Sequence, residues 1–142
     1  MSDPLELTVT RVIPAAREAV FEAWLNPQAL AGFMKPAEGM TVSKTEVDGR
    51  EGGAFLIVMK AGDDEMPHTG EYKTIRRSER LAFTWVSQWS VPNSLVTLDF
   101  EELGPTETKL TLHHVGFPTQ ESCDNHQGGW TTIVGHLAST VA

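Results

Sequence analysis

Cys123 and His126 stand three residues apart in the segment that ends the sequence, while Tyr72 and His114 fall on strand-like stretches upstream. A thiol one helical turn from an imidazole is the least that a base-activated nucleophile requires, because the thiolate rather than the thiol attacks. His114 could join the same pair as a third metal ligand. The five histidines are His68, His113, His114, His126 and His136, and the adjacent two must point to opposite faces of a strand. Tightly paired ligands of the structural-zinc kind are missing, so neither a metal site nor another cofactor is expected. Glu71 beside Tyr72 suggests acid–base work, yet neighbours on a strand face opposite ways and only one can enter a common cavity. Cys123 therefore reads as a small buried residue and Glu71 as a solvated one, with no catalytic constellation.

The same residues suit ligand binding better. Tyr72, His114, Cys123 and His126 are the polar groups expected to aim at a cavity, with Phe55, Met59, Trp85, Trp89 and Phe100 as its apolar wall and Trp130 above the histidine. A mostly apolar pocket with a few convergent polar groups is the usual small-molecule site. The competing reading is that each inward tyrosine or histidine is a core residue satisfied by backbone or water.

Something must hold these side chains together, and the last segment, Pro118 to Ala142, is the natural organiser. Trp130, Ile133, Val134, Leu137, Ala138 and Val141 recur at i, i+3, i+4, i+7, i+8 and i+11, one stripe of an α-helix. Extended backward, the stripe brings His126 and Cys123 under Trp130, so one face ends in a greasy ridge and begins with small and polar groups. Gly128, Gly129 and Gly135 each cost roughly 1 kcal/mol against Ala in a helix. Burial of five or six apolar side chains returns about 1.5–3 kcal/mol each, so packing prevails. The glycines then mark close approach to another backbone or a point of bending, with close approach preferred.

Upstream, Leu5–Ile13 alternates as a strand with one wet face, and Pro14 ends it. Ala15–Leu25 and about Gln28–Phe33 read as short helices separated by Asn26-Pro27. The pattern then turns to strands: Met40–Val47, Gly53–Lys60, His68–Arg76, Leu81–Trp89, Leu95–Leu103 and Thr108–Val115. Asp48-Gly49, Gly62-Asp63-Asp64, Ser78-Glu79, Pro92-Asn93 and Gly104-Pro105-Thr106 supply the turns. Strands that are sequence neighbours with short connections favour a curved antiparallel meander.

A chain of 142 residues with a net charge of −8 fits one domain spanning 1–142. The charge disfavours nucleic acid, which needs clustered Lys and Arg, and the one basic cluster is Arg76, Arg77 and Arg80 around a turn. No run is long enough to span a bilayer, and Met1–Val9 lacks the continuous apolar core of a secretory leader. The single cysteine fits a reducing compartment, so a cytoplasmic location is expected.

Several ordered motifs sharpen this picture. Pro14-Ala15 ahead of Val20-Phe21-Glu22-Ala23-Trp24 and Asn26-Pro27, then Gly70-Glu71-Tyr72, Glu79-Arg80-Leu81-Ala82-Phe83-Thr84-Trp85, and His126-Gln127-Gly128-Gly129-Trp130 with Leu137 span nearly the whole chain. The set resembles the activator-of-heat-shock-ATPase-like branch of the SRPBCC (START and birch-allergen-like) superfamily. The resemblance implies an α+β helix-grip fold, a curved antiparallel sheet around a long C-terminal helix, with a cavity between them roofed near its mouth by the short helices. Related members hold sterols, lipids, polyketides or plant hormones there. It implies no catalytic residues. The ranked expectations are a binder of a small hydrophobic or aromatic molecule, then a cyclase-, dehydratase- or hydrolase-like enzyme on a bulky apolar substrate, then a chaperone ATPase-activating cofactor. A homodimer through a strand edge or the short helices is a further expectation.

Overall fold

The alternation at the start of the chain becomes strand β1 (Glu6–Ile13), with Leu7, Val9 and Ile13 buried. These coordinates come from a computed structural model that describes residues 5–87 and 94–141. Trp89, the Pro92-Asn93 turn and Ala142 lie outside the described residues. After β1 come the short helices α1 (Arg17–Ala23) and α2 (Pro27–Phe33). Asn26 separates them: its Oδ1 accepts from the backbone N–H of Gln28 (2.9 Å) and of Ala29 (3.2 Å), while Pro27 opens α2 where no N–H is needed.

Six strands follow: β2 (Met40–Val47), β3 (Ala54–Ala61), β4 (Asp64–Arg76), β5 (Arg80–Thr84), β6 (Leu95–Gly104) and β7 (Glu107–Val115). With β1 they make a seven-stranded antiparallel sheet in the order β1-β7-β6-β5-β4-β3-β2. The chain therefore meanders from β2 to β7 and closes by laying β7 against β1, where Leu7 faces His114 and Val9 faces Leu112. The sheet curls as a half-barrel, and the long helix α3 (Gln120–Val141) lies in its concavity.

Two strand boundaries differ from the sequence expectation by more than one residue, for physical reasons. β4 begins at Asp64 rather than His68, because a two-residue turn with Gly62 at positive φ (61°) pairs Ala61 directly with Asp64. Pro67, which argues against a strand interior, sits inside β4 opposite Val58. β5 ends at Thr84, short of the expected Trp89. There the Thr84 hydroxyl, in place of a carbonyl, accepts the Glu71 N–H (2.9 Å), and pairing resumes only as an isolated Thr69–Val86 bridge. Gly70 makes that bend feasible. A Cβ at this position would lie 2.0 Å from the Thr84 carbonyl oxygen and 2.4 Å from the Phe55 ring.

The interior is filled from both sides. Leu81, Phe83, Leu98, Leu110 and Leu112 from the sheet meet Ile133, Val134 and Leu137 from α3, all nearly or wholly removed from solvent. α3 runs unbroken through its glycines, which is what the burial arithmetic requires. At Gly129 a Cβ would come 3.2 Å from the Pro36 side chain, a close approach, whereas one at Gly128 would meet nothing within 4 Å.

Candidate functional site

One face of α3 changes character along its length. Beyond Trp130 it is greasy and meets the sheet; before it, Ser122, Asn125, His126 and Gly129 stand over a hollow of about 560 Å³. The opposite wall is Met59 on β3, Met66 and His68 on β4, and Trp85 just after β5. Pro36, in the segment linking α2 to β2, and Met40, the first residue of β2, close one side, while Pro118, Thr119 and Glu121 form the lip at the start of α3. Trp130 and Ile133 make the inner end. α2 holds this wall in place: the Thr45 hydroxyl on β2 donates to the Pro27 carbonyl (2.8 Å), anchoring the helix to the outermost strand.

The base of the hollow is aromatic. Trp85 and Trp130 rings lie 4.8 Å apart at 55°, and the His68 ring lies 4.9 Å from Trp85. Three methionines, Met40, Met59 and Met66, complete the apolar wall. Their unbranched, polarizable side chains adjust to a guest's shape more readily than branched ones.

Behind Trp130 is a buried polar chain. The Trp130 indole N–H donates to His114 Nδ1 (3.0 Å), and His114 Nε2 meets the Ser94 hydroxyl. An indole only donates, so His114 Nδ1 carries no proton; its hydrogen is on Nε2 and points to Ser94. Burial, followed by repulsion from His126 and His113, pulls the His114 pKa down to about 3 and keeps it neutral. In that tautomer His114 cannot take a proton from Ser94. The pair therefore resembles half of a catalytic triad but is arranged as a structural clamp.

His126 is built differently. Its Nδ1 lies 2.7 Å from the Ser122 carbonyl, which can only accept, so the proton is on Nδ1 and Nε2 presents a lone pair. Burial lowers its pKa, against the raising effect of that bond. The ring packs 5.0 Å from Phe117 and 5.4 Å from His114. His68 similarly donates from Nδ1 to the Met66 carbonyl (2.9 Å), and burial first of all depresses its pKa to about 4.

The ten residues that the sequence nominated divide by location. Met59, Trp85, His126 and Trp130 line the hollow together. His114 stands one hydrogen bond behind Trp130, and the Cys123 thiol turns away to the Glu6 carbonyl on β1 (3.5 Å). Burial and then Asp124 push that thiol's pKa up, away from thiolate. Phe55 and Tyr72 pack against each other (5.4 Å) beside a void of only about 10 Å³. Burial, then Asp48, raises the Tyr72 pKa, so the hydroxyl keeps its proton. Phe100 packs on Phe21 of α1 at 5.3 Å. Trp89 lies outside the described residues.

Sequence reasoning passed over Met40, Met66, His68, Ser122, Asn125 and Ile133 as lining residues. His68 shares the inward face of β4 with Tyr72, so period-two counting from Tyr72 reaches it. Met66 continues the same count but lies beyond Pro67. Among the described residues no group of His, Cys, Asp and Glu is placed to hold a metal ion. No helix among them is long and apolar enough to cross a membrane.

A family model described as Activator of Hsp90 ATPase homolog 1-like protein matches residues 14–142. Among solved structures, a protein from Chromobacterium violaceum is similar at 27% identity and a TM-score of 0.85, over 97% of this chain and 98% of that one. One from Nitrosomonas europaea is similar at 21% identity and a TM-score of 0.81, over 99% and 96% of the two chains. An AHSA1-like protein from Aeromonas hydrophila is similar at 22% identity and a TM-score of 0.79, over 95% and 92%. No curated protein matches the sequence.

Proposed function

This chain belongs to the Activator of Hsp90 ATPase homolog 1-like protein family, and on that premise we propose that it holds a small, largely apolar molecule between its curved sheet and the first half of α3. The observation that carries the reading is the hollow of about 560 Å³, a size that suits a molecule of two to four fused or linked rings. A sheet and helix with so many aliphatic and aromatic side chains could have filled this space, as they do a few ångströms away. Instead the facing helix carries Ser122, Asn125 and Gly129, and the wall carries adaptable methionines. Packing forfeited at an unfilled apolar site is regained when a guest supplies the missing contacts.

Binding without turnover is supported by how the nearby titratable groups are engaged. His114 is clamped between Trp130 and Ser94, Tyr72 stays protonated in packed core, and the Cys123 thiol turns to β1.

Native mass spectrometry of the purified protein, followed by calorimetry with a panel of polycyclic, aromatic and acyl compounds, tests the reading. One-to-one complexes are expected, with quenching of tryptophan fluorescence because Trp85 and Trp130 face the guest. A panel that yields no complex, together with a crystal structure showing side chains collapsed into the hollow, would reject it.

A further inference from the structure

We propose that the hollow selects a ring compound whose polar end donates a hydrogen bond and bears no negative charge, typified by a phenolic hydroxyl, and that it excludes carboxylates. This rests on the ligand-binding reading and specifies its chemistry.

The first support is the direction of the hydrogen bonds. His126 Nδ1–H is committed to the Ser122 carbonyl at 2.7 Å, and among the described residues nothing bonds to Nε2. A neutral imidazole so held offers a lone pair and asks for a donor. A hydroxyl satisfies it; an ether or a carboxylate does not. Burial favours this neutral form.

The second support is charge. Among the described residues that line the hollow, Glu121 is the one acidic side chain, and neither Lys nor Arg is present. Residues 1–4, 88–93 and 142 contain no Lys or Arg in sequence either. An entering carboxylate would shed its hydration and meet an imidazole lone pair and a like charge.

The third support is that the start of α3 does not compensate. A helix N-terminus ordinarily attracts anions through free N–H groups. Here Thr119 Oγ1 already accepts the Ser122 N–H at 3.0 Å, and Glu121 places a carboxylate of the protein's own in the first turn. The fixed dipole is thus partly neutralised from within.

The remaining lining accommodates the rings. Trp85 and Trp130 offer faces, and Met40, Met59 and Met66 adapt to the outline.

Calorimetry near neutral pH with 2-naphthol, 2-methoxynaphthalene and 2-naphthoate separates the terms, because the three share one ring system. The naphthol should bind about tenfold more tightly than its methyl ether, the worth of one hydrogen bond to a buried acceptor. The naphthoate should bind more weakly than either. His126→Phe keeps an aromatic ring against Phe117 and should erase the gap between naphthol and ether. Glu121→Gln, at the solvent-facing lip, should narrow the gap between naphthol and naphthoate several-fold. Equal, tight binding of naphthol and ether overturns donor selection while leaving the hollow as a ligand site. Tightest binding of the naphthoate overturns the exclusion of anions. A naphthol–ether gap that survives in His126→Phe removes His126 as the acceptor. If none of the three binds while other members of the panel do, this inference falls and the hollow remains a ligand site.

Discussion

Two parts of the interior share one sheet and yet end in opposite states. Under α1 and α2, Trp24, Leu30 and Met34 meet Phe55, Ile57, Tyr72 and Phe83 so closely that about 10 Å³ is left. Under the first turns of α3, the same strands leave about 560 Å³. The strands do not distinguish them, since β3 contributes Phe55 and Ile57 to one part and Met59 to the other. The covering helices do. Trp24, capping the end of α1, and Leu30 and Phe33 of α2 cover the filled part, whereas α3 before Trp130 presents Ser122, Asn125 and Gly129. A hollow thus requires no special sheet. It requires a lid whose side chains are too short or too polar to reach the floor.

The sharpest way to break that comparison is to truncate one side chain in each part. Phe33 is wholly buried and lies 5.1 Å from Trp24, so Phe33→Ala should cost about 3–5 kcal/mol in urea denaturation. Met66 borders the hollow and already lacks partners on one side, so Met66→Ala should cost about 1 kcal/mol or less. Equal losses would mean that the hollow is filled in solution.

Acid sharpens the contrast, because the imidazoles His68, His114 and His126 gather at or behind the hollow. His68 and His114 are held neutral, with pKa values lowered from 6.5 to about 4 and about 3. Below pH 6.5 the unfolded chain binds protons there that the folded chain refuses. Stability is therefore complete above that value and declines as pH falls toward the folded pKa values, by roughly 1.4 kcal/mol per pH unit for each histidine. Denaturation midpoints across this range should show the slope, and His68→Gln should reduce it by one proton. A flat profile would contradict the burial of these rings. Hydrogen exchange in mild acid should open β7 and the start of α3 before α1 and α2.

Enlargement gives the smallest effect and the finest test. Ile57→Phe, in the filled part, should cost about 1–3 kcal/mol by overpacking. Ile133→Phe at the edge of the hollow should change stability by only about 0.5 kcal/mol, since the ring has somewhere to go. It should weaken guest binding in calorimetry. A large stability loss at Ile133 would show that the hollow is narrower than the structure makes it.

Much of the framework was legible because it is repetitive. The stripe from Trp130 to Val141 and the alternation in β1, β3, β6 and β7 report periodicity, and each buries the face it advertises. The site was legible only where it followed the same periods, at Met59, Trp85, His126 and Trp130. Phe55 and Tyr72 also face inward, but period two reveals which face a residue occupies and not which helix lies above it. Met66 was hidden because Pro67 interrupts the local signal, and the β3–β4 pairing that overrides it depends on residues remote in the chain. Cys123 illustrates a subtler limit. It lies on the buried stripe as expected, yet an offset of about 60° around the helix axis sends its thiol to β1 while His126 faces the hollow.

Amino-acid order alone determined which faces would be buried, where the turns would fall and that a long helix would close the chain, because those follow from local periodicity and backbone restrictions. The division of the interior into packed core and open room came from the way distant elements meet: where the sheet bends at Gly70, which strand α2 is tied to, and how far short side chains on α3 stand from the floor. Volume left over is a difference between surfaces brought together from opposite ends of the chain, and no single stretch of residues contains it.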